Sequence, residues 1–316
     1  MIKEQLKEAK KACRFMQNVK PEVKNKALKN ISEALIQKSE LIIQENQKDI
    51  AEAKNNGIKE SMVDRLLLNK ERIEAMAKDI LKVIDLQDPI GTLVREIKRP
   101  NGLVIQQIRI PLGVIGVIYE SRPNVTVDIA SLCIKTNNVC VLKGGKEAIH
   151  SNRILVQIIN EAIQGVLPTH TVTLIETKKR EETLDLIQVH DYVDVIIPRG
   201  SAGLIQYVVK NATVPVIETG AGICHLYVDQ DASLDMALEI AKNAKIQRPS
   251  VCNAIETILV HQKVAPEFLP KLQELFKNVQ IYGDEKTRKI IDCLKATEKN
   301  YACLLYTSPS PRDGLL

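Results

Sequence analysis

No stretch of this 316-residue sequence approaches the ~20 consecutive apolar residues that a membrane span requires. The longest apolar run, Leu112 to Tyr119, is far shorter, and the opening Met1-Ile-Lys-Glu-Gln-Leu-Lys7 is too charged for a secretory signal. Charge of one sign is also lacking. Lys plus Arg number 44 against 39 Asp plus Glu, interspersed along the chain for a net charge of +5, which excludes the basic footprint of a nucleic-acid binder. The seven cysteines form no CxxC pair and are odd in number, and the five histidines are scattered, so neither a disulfide framework nor a metal site is expected. What remains is a globular, cytoplasmic protein with 45% hydrophobic and 26% charged residues, long enough for two domains.

A further absence concerns nucleotides. No G-x-G-x-x-G stands between a strand-like run and a helical one. Gly220-Ala-Gly222 comes nearest, but it lacks the third glycine and runs into the strand-like Ile223 to Val228. The ordinary dinucleotide fingerprint is missing, and a bound nucleotide must be held in another way.

Turning to what is present, apolar residues such as Ala27, Ile31, Ala34, Leu35 and Ile42 recur at helical spacing from Glu4 to about Leu86, a helical lead-in with stops at Gly57 and at Pro89 with Gly91. A β hairpin is expected over about 96–112, punctuated by Asn101-Gly102, Pro111 and Gly113. Strand-like runs at Gly113 to Glu120, Val139 to Lys143, Thr171 to Glu176, Val193 to Pro198 and Val214 to Glu218 then alternate with helical stretches at Thr126 to Ile134, Lys146 to Ile163, Glu181 to Ile187 and Ser201 to Lys210. Short apolar strands separated by single helices predict an α/β fold whose parallel sheet is covered on both faces, with ligands bound beyond the carboxyl ends of the strands.

The residues at those ends carry the chemistry. Gly200-Ser201 follows a strand and opens a helix, where backbone N–H groups and the positive helix end suit an anion such as a pyrophosphate; a plain turn with Ser201 as N-cap is the bland alternative. Lys143-Gly-Gly-Lys146 also ends a strand, so that Lys143 could reach a ribose hydroxyl and Lys146 a further phosphate, although a solvated surface lysine is the commoner fate. Farther on, Cys252 sits among Gln247-Arg-Pro-Ser-Val-Cys252-Asn253-Ala254, downstream of Thr213-Val-Pro-Val-Ile-Glu218-Thr-Gly220. A thiol among small polar residues, shortly after Arg248, can be held as the thiolate that attacks carbonyl carbons. An isolated cysteine is otherwise a packing residue, since free Cys is among the most buried types.

The run Ile110-Pro-Leu-Gly-Val-Ile-Gly-Val-Ile-Tyr-Glu-Ser-Arg-Pro-Asn-Val-Thr-Val-Asp128, with Val141-Leu-Lys-Gly-Gly-Lys146, Val216-Ile-Glu-Thr-Gly220 and Gln247 to Asn253, resembles the aldehyde dehydrogenase superfamily, in the family's order and over about residues 1–302. The resemblance is greatest to members that reduce an acyl phosphate. It implies an NADP-binding domain over 1–223, whose hairpin is of the oligomerisation type, and a partial catalytic domain over 224–302. It also implies the reaction: L-glutamyl 5-phosphate is reduced by NADPH to L-glutamate 5-semialdehyde and phosphate, in proline biosynthesis. Glutamate 5-kinase is a candidate partner, and a homo-oligomer is expected of the full-length family protein. Carried over by position, Cys252 matches the nucleophile and Asn124 the oxyanion-hole amide, with Arg122 competing for that place. Gly200 with Ser201 matches the pyrophosphate turn, Lys143 the lysine near the adenosine ribose, and Lys146 and Gly220 further cofactor positions. Arg122, Arg248 and Asn253 are substrate-binding candidates. Glu218 falls where hydrolytic relatives keep a general base, a role that an acyl-phosphate reductase does not need. Two other readings remain: an aldehyde dehydrogenase that oxidises its aldehyde to a free acid with Glu218 as base, and an inactive nucleotide-binding module.

The end of the chain departs from the resemblance. Cys303 to Leu316, rich in Ser and Pro, matches no part of the family and reads as a non-native tail. The expectation is therefore a C-terminally incomplete member that exposes apolar residues such as Ile255 to Val260, binds nucleotide weakly, turns over poorly and tends to associate.

Overall fold

A computed structural model describes residues 2–58, 60–176, 180–218, 224–247 and 253–301. The chain divides into two compact units, Met1–Thr219 and Gly220–Leu316.

The first unit opens with five helices: α1 (Ile2–Met16), α2 (Pro21–Gln37), α3 (Ser39–Asn55), α4 (Glu60–Leu66) and α5 (Lys70–Asp85). On α1 the buried stripe is Leu6, Ala9, Cys13 and Met16, the three-and-four spacing of one helix face. Pro21 stands in the first turn of α2, where a missing N–H leaves no bond unmade. Asn69 caps α5, its side-chain oxygen accepting the Arg72 N–H at 2.9 Å. Gly57, at φ +67°, ends α3 as the sequence predicts. Between α2 and the sheet helices, the fully buried Lys24 forms an ion pair with Asp88 at 2.5 Å, off hydrogen-bond angle, donates to the Lys135 carbonyl at 3.0 Å and meets the Asn137 side-chain oxygen.

A hairpin of β1 (Leu93–Lys98) and β2 (Val104–Ile108) follows, its turn made by Gly102 at φ +85°. Its arms fall a few residues earlier than the 96–112 read from the sequence, and almost every residue on them is exposed, Val104, Ile105 and Ile108 included.

The parallel sheet consists of β3 (Val114–Tyr119), β4 (Val139–Lys143), β5 (Val172–Leu174) and β6 (Val195–Arg199), in the order β5-β4-β3-β6. All six residues of β3 are buried. A strand half open to solvent would alternate, so both faces are covered. The cover comes from α1, α6 (Asn124–Lys135), α7 (Ile149–Ile163), α8 (Arg180–Gln188) and α9 (Ala202–Asn211). The chain enters the sheet at β3, steps outward through β4 and β5, and returns to β6 on the far side of β3. The reversal makes the carboxyl ends of β3 and β6 the crevice where such sheets bind ligands.

The entry to β3 is fixed by Asp194, whose carboxylate accepts the Val114 N–H at 2.8 Å and pairs with Lys10 at 2.7 Å. Gly113 is required beside it. Its φ is +119°, and a Cβ there would lie 2.2 Å from Asp194 Oδ2. The fifth expected strand, Val214 to Glu218, is a correction: it contributes a single bridge, Val216 to Ile196, beyond β6. Ile196 donates to the Pro215 carbonyl and accepts from Ile217 N–H. Pro215 has no N–H to donate toward Asp194 and Pro198 of β6 has none to donate toward Ile217, so the ladder cannot extend on either side of the bridge.

In the second unit, β7 (Cys224–Val228) and β8 (Ile255–Val260) pair in parallel across α10 (Leu234–Ile246). After α11 (Ala265–Leu275), the two-residue strands β9 (Tyr282–Gly283) and β10 (Leu294–Lys295) pair, and α12 (Glu298–Tyr301) follows. Val228, Leu238, Phe268, Leu272 and Phe276 form the core. Ile255 is buried while Leu259 is 50% exposed, and β8 borders a cleft of about 720 Å³ reaching Phe276 and Tyr282. Among the described residues no helix is long and apolar enough to cross a membrane, and no cluster of His, Cys, Asp or Glu could hold a metal.

Candidate functional site

The segments leaving β3, β4 and β6 meet at the reversal of the sheet. Glu120 follows β3 directly, its N–H donating to the Arg199 carbonyl at 3.3 Å and so extending the β3–β6 pairing to the edge of the crevice. Its carboxylate crosses to the start of α9. Oε2 accepts the Ser201 backbone N–H at 2.8 Å and Oε1 the Ser201 hydroxyl at 3.2 Å. Ser201 in turn caps α9 by accepting the Leu204 N–H at 3.4 Å. A Cβ on Gly200 would lie 2.6 Å from Glu120 Oε2, so glycine leaves the backbone open at the point where the carboxylate lies. Both predicted positions, Gly200 and Ser201, are therefore an anion-accepting helix start, and the anion they accept is the protein's own.

Ser121 comes next, in the left-handed region at φ 46°. A non-glycine residue there is strained, and the strain is offset by two bonds: the Ser121 N–H and Oγ–H both donate to Glu147 Oε1, at 2.7 and 2.8 Å. Glu147 lies in the short 3₁₀ turn Lys146–Ala148 after β4. The loop between, Gly144-Gly145, is tight. A Cβ on Gly145 would lie 2.1 Å from Glu147 Oε1, and one on Gly144 would lie 2.1 Å from Asn152 Nδ2. That nitrogen is fully buried and has no partner, while Asn152 Oδ1 accepts from Thr126, which also bonds Tyr119 at 2.7 Å.

Lys143 ends β4, half-buried, and makes no hydrogen bond or ion pair among the described residues. Burial lowers its pKa below the ordinary lysine range, against the opposing fields of Glu147 and Glu120. Lys146 is exposed. Asn124 is the first residue of α6 and donates its side-chain N–H to Asp128 Oδ2 at 3.0 Å, one helical turn on. Burial raises the Asp128 pKa, and the Asn124 bond opposes the rise. One amide hydrogen of Asn124 is thus committed, leaving the second for another acceptor. Arg122 is half-buried in the same loop.

The other predicted residues are not brought to this cluster. Glu218 is exposed at the end of the first unit's described residues, and Asn253 is exposed in the turn before β8. Cys252, Arg248 and Gly220 lie outside the described residues. Of the remaining cysteines, Cys133 and Cys140 are buried, and the hydrogen bond with the Cys133 thiol, together with burial, pushes the Cys140 pKa well up, away from the reactive thiolate. Glu120 and Glu147 are the residues that sequence reasoning passed over. A carboxylate immediately after the strand at the sheet's reversal was the available signal.

The donor set fits a dinucleotide. At and beside the strand ends it offers an anion-accepting helix start, glycines that a Cβ would block and, among the described residues, a buried amide on α7 without a partner and an unpaired ammonium. The aldehyde dehydrogenase family model matches residues 1–292. The gamma-glutamyl phosphate reductase of Carboxydothermus hydrogenoformans is 51% identical over 299 residues, which span 93% of this chain and 72% of that protein. The crystal structure of the gamma-glutamyl phosphate reductase from Thermotoga maritima superposes with a TM-score of 0.87 at 44% identity, over 94% of this chain and 73% of that one. An acetylating aldehyde dehydrogenase from Geobacillus thermoglucosidasius, at 17% identity and TM-score 0.65, shares the fold alone. The family's chemistry uses a nicotinamide cofactor, and the crevice between β3 and β6 has the groups to hold one. With the α/β architecture, the strand-end cluster and half of its residues shared along nearly its whole length, the chain belongs to the aldehyde dehydrogenase family and stands within it among the gamma-glutamyl phosphate reductases.

Proposed function

We propose that the chain reduces L-glutamyl 5-phosphate to L-glutamate 5-semialdehyde, with NADPH as the cofactor and Cys252 as the nucleophile, in proline biosynthesis. The observation that carries this reading is the 51% identity to a gamma-glutamyl phosphate reductase across 93% of the chain. Direct delivery of hydride to a carboxylate-like carbon is difficult, and a covalent thioester divides the reduction into easier steps. The Cys252 thiolate attacks the acyl carbon, the carbon–oxygen bond to phosphate breaks, and phosphate leaves with the electron pair. NADPH, when bound, supplies the hydride that reduces the thioester. The carbon–sulfur bond then breaks, giving aldehyde and free thiolate. Both tetrahedral stages carry an oxyanion, for which the uncommitted amide hydrogen of Asn124 is the proposed donor; loss of one such donor costs about 3–4 kcal/mol.

Lys143 and Lys146 are proposed to hold the phosphorylated ribose, Gly200 with Ser201 the pyrophosphate, and Gly220 a further part of the cofactor. Arg122, Arg248 and Asn253 are assigned to the substrate. Glu218 has no hydrolytic water to activate in this reaction. The reading carries with it a cytoplasmic enzyme, supplied by glutamate 5-kinase and associating as a homo-oligomer through the exposed β1–β2 hairpin. Its test is reduction of NADP by glutamate 5-semialdehyde with and without inorganic phosphate. Phosphate-dependent turnover supports the proposal, and equal turnover without phosphate would assign the chain to a free-acid-forming aldehyde dehydrogenase.

A further inference from the structure

The carboxylate of Glu120 occupies the anion position at the start of α9, the position that the proposed function gives to the cofactor's pyrophosphate. Both Ser201 donors are committed to it, at 2.8 and 3.2 Å, and it lies over Gly200 at the point where a Cβ would come within 2.6 Å. Two anions cannot share one backbone N–H at a helix start whose favourable field extends only over the first turn. Meanwhile, among the described residues, Lys143 at the end of the strand next to β3 has no partner, and Asn152 Nδ2 is buried without one beneath Gly144. The other carboxylate of the cluster, Glu147, is tied to Ser121 through two donors and is not the group that stands at α9. Thus one carboxylate fixes the loop after β3, while the other fills the anion position.

From this arrangement we infer that Glu120 is an internal placeholder that sets cofactor affinity: it caps α9 in the free protein and must leave the Ser201 donors when the pyrophosphate of a nicotinamide dinucleotide takes them. This rests on the cofactor reading above and goes beyond it. The release is a cost charged to every binding event, and it is the same for NADPH and NADH because the pyrophosphate is common to both. It also explains why the turn tolerates a carboxylate at its mouth: unoccupied, a helix start with open donors and a nearby ammonium would be available to any phosphate in solution.

The test is Glu120→Gln, which keeps the length and a neutral acceptor for the Ser201 N–H while removing the charge that competes with phosphate. Titration calorimetry should show NADPH and NADH both bound about 2- to 5-fold tighter than by the parent protein, from the size of a single exposed helix-terminus charge effect. The melting temperature of the free variant should fall, because α9 loses its anionic cap. Where the parent binds the nucleotides, unchanged or weaker binding by Glu120→Gln, the result expected if the carboxylate instead stays to hold a ribose hydroxyl, overturns the inference. A parallel melt with inorganic pyrophosphate separates this from the cofactor reading. Pyrophosphate that raises the melting temperature of Glu120→Gln more than that of the parent upholds the placeholder role even if neither protein binds a nicotinamide nucleotide, an outcome that would sink the cofactor reading alone. No preferential protection by pyrophosphate overturns the inference.

Discussion

Replacing Lys143 by methionine should make the free protein no less stable while impairing its proposed function, and that opposite pairing is what a purely structural lysine would not produce. Its ammonium is half-buried at the end of β4, has no hydrogen bond or ion pair among the described residues, and is held below its usual pKa chiefly by burial. Methionine keeps the apolar stem and removes the desolvated charge, so the free protein should gain up to about 1 kcal/mol. Binding should move the other way. A charge-assisted contact to a phosphate is worth about 1.5–3 kcal/mol, and partial exposure argues for the lower half, giving roughly 10- to 30-fold weaker NADPH binding. NADH, without the 2′-phosphate, should lose less. The pH dependence has a definite sign: with the folded pKa lowered, the folded free protein binds fewer protons than the unfolded chain between that pKa and the ordinary value of about 10.4. Stability contributed by this group therefore rises with pH through that window, and Lys143→Met abolishes the rise. Phosphate nearby favours the ammonium, so NADPH binding above the lowered pKa should take up a proton, measurable by calorimetry in buffers of different ionisation enthalpy. A variant that melts well below the parent, or binds NADPH equally well, would refute the assignment.

Three other outcomes are expected. Cys252→Ser should abolish turnover while leaving NADPH affinity within about twofold, and residual activity above a few per cent of the parent would rule out the thioester route. Gly113→Ala combines a left-handed backbone with a Cβ 2.2 Å from Asp194 Oδ2, a carboxylate pinned by Lys10 and Val114. It should cost about 3 kcal/mol or more in denaturant unfolding, with part recovered in an Asp194→Ala background; additive losses would show that the two positions do not couple. Lys24→Met strands Asp88 without its cation and leaves Asn137 short of a donor, at about 3–5 kcal/mol; a variant that unfolds at the parent's denaturant midpoint would show the network to be dispensable.

Periodicity carried most of the architecture because the elements that matter here are buried on every side. The run Val114–Tyr119 reads as a central strand from its unbroken apolar character, and it is one. The lead-in helices read from their stripes, and Gly57 ended α3 as glycine at positive φ does. Where the reading failed, pairing rather than propensity decided. Val214 to Glu218 is as β-prone as its neighbours, but Pro215 has no N–H to contribute and the run stops at one bridge. Hairpin arms are likewise set by which residues pair across Gly102, and that register is invisible to composition.

The site was legible to a different degree because its positions follow from topology and its occupants from side-chain reach. The order of the strands makes the ends of β3 and β6 the crevice, and Gly200, Ser201 and Lys143 are marked in the sequence by their place at the carboxyl ends of strand-like runs. Glu120 was not, since nothing in a linear reading says that a carboxylate after β3 crosses 81 residues of chain to take the Ser201 N–H. Nor could the sequence show that Glu147 restrains Ser121, leaving Lys143 half-buried and without a partner among the described residues. These contacts alter what the site must do. If the helix start that holds Glu120 is also the pyrophosphate position proposed above, it is a competitive site: the affinity for a dinucleotide would report the difference between two anions rather than the strength of one, and Lys143 would act on that difference by favouring phosphate over an empty crevice.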